Sequence, residues 1–172
     1  ALERAGDVAG AIEACSRGIE CDAGYLPLRL RRMRLVHRET GEAASGSGDF
    51  SPHFRLAEED GSVAIASAPE QWDAWAARGR IRMAWASWER SQGKDAKVRL
   101  QSAIDDLTRA VDGRGSASDH RDRGVARMDL GDAARQQGED AARVYRTAIA
   151  DLDAAIAAAP RTAGYSIERA MI

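Results

Sequence analysis

The sequence contains no asparagine, only two lysines, two cysteines and four prolines, and aromatics make up 5% of its residues. No apolar run approaches the roughly 20 residues that a membrane-spanning helix requires, and a secretory leader is not expected. A membrane partner is therefore not expected, and the expected location is cytoplasmic. Cys15 and Cys21 stand six apart on one predicted helix, on opposite faces, so they cannot bond to each other. Both read as small buried or half-buried residues, and nothing calls for an oxidising compartment. The three histidines, His37, His53 and His120, are scattered, with no HExxH and no CxxC. The glycine-rich 46–48 stretch lacks the Lys-Ser/Thr of a phosphate loop. Asp119-His120 is adjacent in sequence only and reads as surface. Without a convergent set of chemical groups, the chain is expected not to be an enzyme and to need no metal and no small-molecule cofactor. The net charge of -2 argues against general nucleic-acid binding.

What is present is a foldable composition, 44% hydrophobic and 30% charged. The positive charge is nearly all arginine. Abundant arginine and alanine point to a GC-rich bacterial genome. Beneath the composition lies a repeat. Ala148 and Ala155 stand seven apart, and Pro160 follows five later. Ala103, Ala110 and Gly115 keep that frame, as do Ala57, Ala64 and Pro69, and Ala11, Gly18 and Ala23. The steps between frames are 46, 46 and 45 residues. Such self-similarity marks a solenoid and not a closed core.

Periodicity and punctuation divide the chain into helices. Gly6-Asp7 reads as a turn and N-cap between the tail of one helix, Ala1–Ala5, and a helix over Asp7–Cys21. The next runs from Tyr25 to about Ala44, with Pro27 in its first turn. The 43–49 stretch is a loop. Helices follow over Pro52–Ser67, weakened by Gly61, and over Glu70–Ser91, which carries Trp72, Trp75, Trp85 and Trp88. These tryptophans read as core and hairpin-tip packing. Asp95–Asp112 returns, with Val98, Ile104, Leu107 and Val111 on its apolar face. Asp119–Gln137 goes out, with an irregularity expected at Gly131-Asp132. Ala141–Ala159 returns, and Thr162–Ile172 opens another outgoing helix. Asp105-Asp106 and Asp151/Asp153 read as solvated or arginine-paired.

A second frame fixes the register. Arg32-Met33, Arg78-Gly79, Arg123-Gly124 and Arg169-Ala170 recur at 46, 45 and 46 residues. The second residue of each of the first three pairs lies 24 before the first small residue of the following frame. In a helix hairpin that is where two helices cross, and a small residue lets the axes approach to about 8–10 Å. Met33 breaks the rule and should hold its helices further apart.

These residues resemble the tetratricopeptide repeat. Trp75, Gly79, Ala103 and Ala110 carry the resemblance, as do Gly124, Leu130, Gly131, Asp132, Ala148, Ala155 and Pro160. Leu2, Gly6, Asp7, Ala11 and Gly18 are similar to an ordinary 34-residue repeat. The later units hold about 12 more residues between their helices, which implies helices lengthened at the hairpin tip by about 9 Å each. A HEAT-type array shares the period, but the small-residue and proline frame fits the tetratricopeptide pattern better. The implied fold is all-α, a right-handed helix-hairpin superhelix forming one array. Its parts are the end of a repeat (1–24), long repeats at 25–69, 70–115 and 116–160, and the start of another at 161–172. Starting at Ala1 in mid-pattern, the chain reads as a piece of a larger protein. The 131–140 segment resembles tip insertions in repeat tails of large bacterial Ser/Thr kinases, which implies a second reading, an intramolecular regulatory module.

The resemblance implies protein–protein scaffolding, with a protein or peptide lying in a groove lined by the first helix of each pair. The groove offsets fall on Leu30, Arg34, His37 and Arg38, then Ala76, Arg80 and Met83, then Arg121, Val125 and Met128. Arg34, Arg38, Arg80 and Arg121 would make it basic and suited to an acidic partner. The family's carboxylate clamp uses asparagines and lysines, so a chain without asparagine is not expected to bind by that clamp.

Overall fold

The computed structural model describes residues 7–42 and 48–172. They form eight helices and no strand: α1 (Val8–Cys21), α2 (Leu26–Glu42), α3 (Ser51–Ser67), α4 (Trp72–Ser91), α5 (Lys97–Gly113), α6 (Ala117–Gln136), α7 (Ala142–Ala158) and α8 (Ala163–Ala170). The observed ends lie within a few residues of those read from the sequence. The expected segment Ala1–Ala5, Leu2 and Gly6, and most of the 43–49 loop lie outside the described residues.

The helix boundaries have local causes, and several of them recur with the repeat. The Asp7 carboxylate accepts the Gly10 N–H at 2.7 Å and caps α1. Asp49, Asp95 and Asp140 each accept the N–H two residues on, from Ser51, Lys97 and Ala142, at 2.9–3.0 Å. These aspartates open the returning helices α3, α5 and α7. At the hairpin tips, Gly93 and Gly138 adopt φ of 71° and 78°, a left-handed conformation that glycine takes at no steric cost. Beside them the Lys94 and Glu139 N–H groups donate back to the Glu89 and Ala134 carbonyls, closing the ends of α4 and α6. Ser116 and Asp119 form a reciprocal capping box at the start of α6.

Consecutive helices pack as antiparallel hairpins, α2 on α3, α4 on α5 and α6 on α7, and the hairpins stack into an α-α superhelix. At the crossing of α4 and α5, a Cβ on Gly79 would lie 2.7 Å from Leu107 Cγ and 3.3 Å from the Ala103 carbonyl oxygen. At that of α6 and α7, a Cβ on Gly124 would lie 2.9 Å from Leu152 Cγ and 3.2 Å from the Ala148 oxygen. At both crossings an added Cβ would force its neighbours to shift, as the register required. Where Met33 takes the glycine position, α2 and α3 pack less extensively than the other two pairs. The Met33 side chain is buried and reaches Gly61, whose added Cβ would lie 2.9 Å from Met33 Cε. Gly61 therefore makes room in an unbroken α3 instead of weakening it.

The structure corrects four expectations. Gly131-Asp132 is no irregularity: α6 runs straight through it. Gly131 leaves space for the Tyr145 ring, whose hydroxyl donates to Asp132 at 2.7 Å. Val98 is exposed, because Leu100 and Ala103 turn the inward face of α5 away from it. Cys21, at the end of α1, is exposed, while Cys15 is buried. Asp119 is fully buried, held by Arg114 and Ser116, and is not a surface residue. The tryptophans do pack the core and tip. Trp85 stacks on Phe54 with centroids 5.6 Å apart, and Trp88 tilts against the same ring.

Candidate functional site

The A-type helices α2, α4 and α6 lie side by side. α2 packs on α4 and α4 touches α6, whereas α3, α5 and α7 make at most marginal contact with one another. The first set therefore lies on the inner curve of the superhelix. Any groove is built from these three helices.

The arginines of the inner helices divide into two classes. The first is internal. Arg32 places its guanidinium fork on Asp60, Arg78 on Asp106 and Arg123 on Asp151, each pair 28 residues apart, at 2.6–2.9 Å. The aspartates are 0%, 2% and 4% exposed. Each buried carboxylate takes a second guanidinium, from Arg29, Arg82 and Arg127 respectively. A buried charge persists only when paired and hydrogen-bonded, and here each hairpin repeats the same bidentate solution. These residues lie between the helices of a hairpin and are structural. Sequence reasoning allowed Arg pairing at Asp106 and Asp151 but missed its regularity. The signal was present in the constant separation of 28.

The second class faces the inner curve. Leu30 is half-buried and Arg34 exposed, and together with Asp73, Ala77 and Arg80 they line a cleft of about 270 Å³ between α2 and α4. Arg34 also lines an adjoining depression of about 470 Å³ with Arg31, Leu35 and Arg38. His37, one turn beyond Arg34, keeps its surface open to solvent. Crowding by protein atoms nonetheless lowers its pKa, and the Arg80 and Arg121 cations push the same way, against Asp122. The cleft joins α2 to α4, and the Arg80–Asp122 pair joins α4 to α6. Met83, Val125 and Met128 are half-buried on these helices, Met83 against the Ile104, Leu107 and Ala126 cluster.

Two expectations about this surface change. Ala76 is fully buried and does not line the groove; its neighbour Ala77 forms the cleft wall. Nor are the four groove arginines alike. Arg80 pairs with Asp122 across α4 and α6 at 3.1 Å. Arg121 pairs with Glu168 of α8, its Nε donating to both carboxylate oxygens at 2.9 Å, and also with Asp122 at 3.0 Å. Glu168 raises the Arg121 pKa and keeps it charged. These partners sit more than 40 residues from Arg80 and Arg121, apart from the adjacent Asp122, and no local pattern marks them. Among the described residues no group of three His, Cys, Asp or Glu side chains could hold a metal ion, and no helix is long and apolar enough to cross a membrane.

No family model and no curated protein matches the sequence. Solved structures do match in shape. Over 99% of this chain and 79% of the other, it is similar to the crystal structure of MamA, with a TM-score of 0.63 at 18% identity. It is also similar to TTC0263, a thermophilic TPR protein from Thermus thermophilus, with a TM-score of 0.52 at 17% identity, over 99% of this chain and 92% of that one. The chain has the tetratricopeptide-repeat fold.

Proposed function

We propose that this chain is a non-catalytic scaffold that binds a protein partner along the inner curve of α2, α4 and α6, and that 25–69, 70–115 and 116–160 are its repeating units. The observation that carries the reading is the cleft between α2 and α4, where Leu30 and Arg34 face Asp73, Ala77 and Arg80, with Arg80 tied onward to Asp122 of α6. The cleft mixes the apolar Leu30 and Ala77 with the Arg34 cation, and Met83, Val125 and Met128 are half-buried on the same set of helices. Such a surface suits an extended segment that presents both acidic and apolar side chains. The fold supports protein binding in general, and the acidic character of the partner rests on Arg34 alone among the arginines with a traced role.

A photo-cross-linking residue at His37 or Met128 tests this, with Gln101 or Arg109 on the exposed outer helix α5 as controls. Lysate of the source cells should yield a discrete cross-linked partner from the inner positions only. Equal capture from the outer positions would overturn the reading.

A further inference from the structure

The repeat shows what is missing at one of its own junctions. The residue directly before each arginine of the second frame is Arg31, Ala77, Asp122 and Glu168 in turn. At the α4–α6 junction Asp122 accepts from Arg80. At the α6–α8 junction Glu168 accepts from Arg121. An acid at this register ties α6 to α4 and α8 to α6, but the arginine it meets differs: Arg80 stands two residues after its frame arginine and Arg121 two before. At the α2–α4 junction the position is Ala77, a methyl group. Arg34 occupies the register of Arg80, 46 residues earlier, and no acid meets it.

The surroundings offer no substitute. Asp73, the acid of the same cleft, is engaged by Arg114, and Arg80 is engaged by Asp122. Arg34 makes no hydrogen bond or ion pair among the described residues. The cleft walls beside it, Leu30 and Ala77, are apolar. Apolar walls lower the local dielectric and strengthen a charge contact, and the guanidinium fork matches a carboxylate in bidentate geometry.

We propose that the notch between Arg34 and Ala77 receives one side-chain carboxylate of a bound acidic peptide, which fills the place that Asp122 holds against Arg80 at the next junction. The inference rests on the inner-curve reading and adds the chemistry of one subsite. It also explains why the notch lies open: an internal acid there would compete with the partner.

The test uses three fluorescein-labelled probes followed by anisotropy. They are a C-terminally amidated octapeptide of alternating glutamate and alanine, its glutamine counterpart with the amide, and the glutamine counterpart with a free carboxyl terminus. Wild type should bind the glutamate probe at least about tenfold more tightly than either glutamine probe, the effect of one charge-assisted contact. Arg34→Gln, at an exposed position, should lose that preference. Ala77→Asp should lose it too, by supplying the internal acid. Circular dichroism establishes that each variant is folded, and Arg34→Gln decides alone if Ala77→Asp is not. A glutamate probe that fails to bind wild type, or binds Arg34→Gln equally well, would overturn the proposal. So would equal binding of the free-acid glutamine probe, since the notch would then take a chain terminus. Cross-linking from His37 that persists in Arg34→Gln would keep the inner-curve reading while this subsite fell.

Discussion

Gly79→Ala isolates the steric argument for the helix crossings. In an exposed helix interior the exchange of glycine for alanine gains about 1 kcal/mol. At Gly79 the new Cβ would lie 2.7 Å from Leu107 Cγ and 3.1 Å from Leu107 Cδ2. The leucine is fully buried. The Ala103 carbonyl, 3.3 Å away, belongs to the α5 backbone and cannot turn aside. Overpacking of this kind costs about 1–3 kcal/mol, so the net change runs from neutral to about 2 kcal/mol destabilising. Gly41, in α2, supplies the control, because a Cβ there meets nothing within 4 Å among the described residues. Gly41→Ala should keep the whole propensity gain. The two variants should therefore differ by about 1–3 kcal/mol in urea unfolding, with Gly79→Ala the weaker. Arrays need not unfold in one step, so amide exchange resolved to α4 and α5 locates the loss. If Gly79→Ala melted with Gly41→Ala, or the exchange change fell outside those helices, the crossing assignment would be wrong.

Two other outcomes follow from the charge arrangement. Asp106→Ala strands Arg78 in a largely buried setting, leaves Arg82 with Glu58 as its one carboxylate, and should cost about 3–5 kcal/mol, whereas Asp105→Ala, at an exposed neighbour, should change urea stability by less than about 0.5 kcal/mol; similar losses would show that the buried pairs carry no special weight. His37 should titrate by NMR below its ordinary value of 6.5. Its neutral form is favoured in the folded state, so the associated stability is full above 6.5 and falls as the pH drops below it, levelling off beneath the folded value. A midpoint above 6.5, or an unchanged pH slope of stability in His37→Gln, would refute the crowding at the groove.

The crossings were legible in the sequence because steric contact leaves little choice of residue. Ala103 and Gly79 must be small wherever two backbones meet, so position and residue type recur together. The buried ion pairs recur as regularly, at a separation of 28, but their meaning lay hidden in a richer arginine run. Arg32 and Arg34 differ by two residues, about 200° around the helix, which sends one into Asp60 and leaves the other on the inner curve. Period alone could not say which was which until a partner helix fixed the rotation of α2. The groove fared worst for the same reason at longer range. Arg80 and Arg121 hold their register, and what removes them from a free basic surface is Asp122 and Glu168 on other turns of the solenoid. A single residue decides the remaining case. Ala76 and Ala77 are both buried but lie about 100° apart around α4, and only Ala77 reaches the cleft wall. Two adjacent alanines carry no difference in residue type from which that rotation could be read. The vacant acid position beside Arg34 becomes visible only once Asp122 and Glu168 have been traced to Arg80 and Arg121, since Ala77 then stands out as the member of their series that carries no charge. A repeat protein is thus most readable where every unit obeys the same steric rule. It becomes specific where one unit omits a contact that the others make.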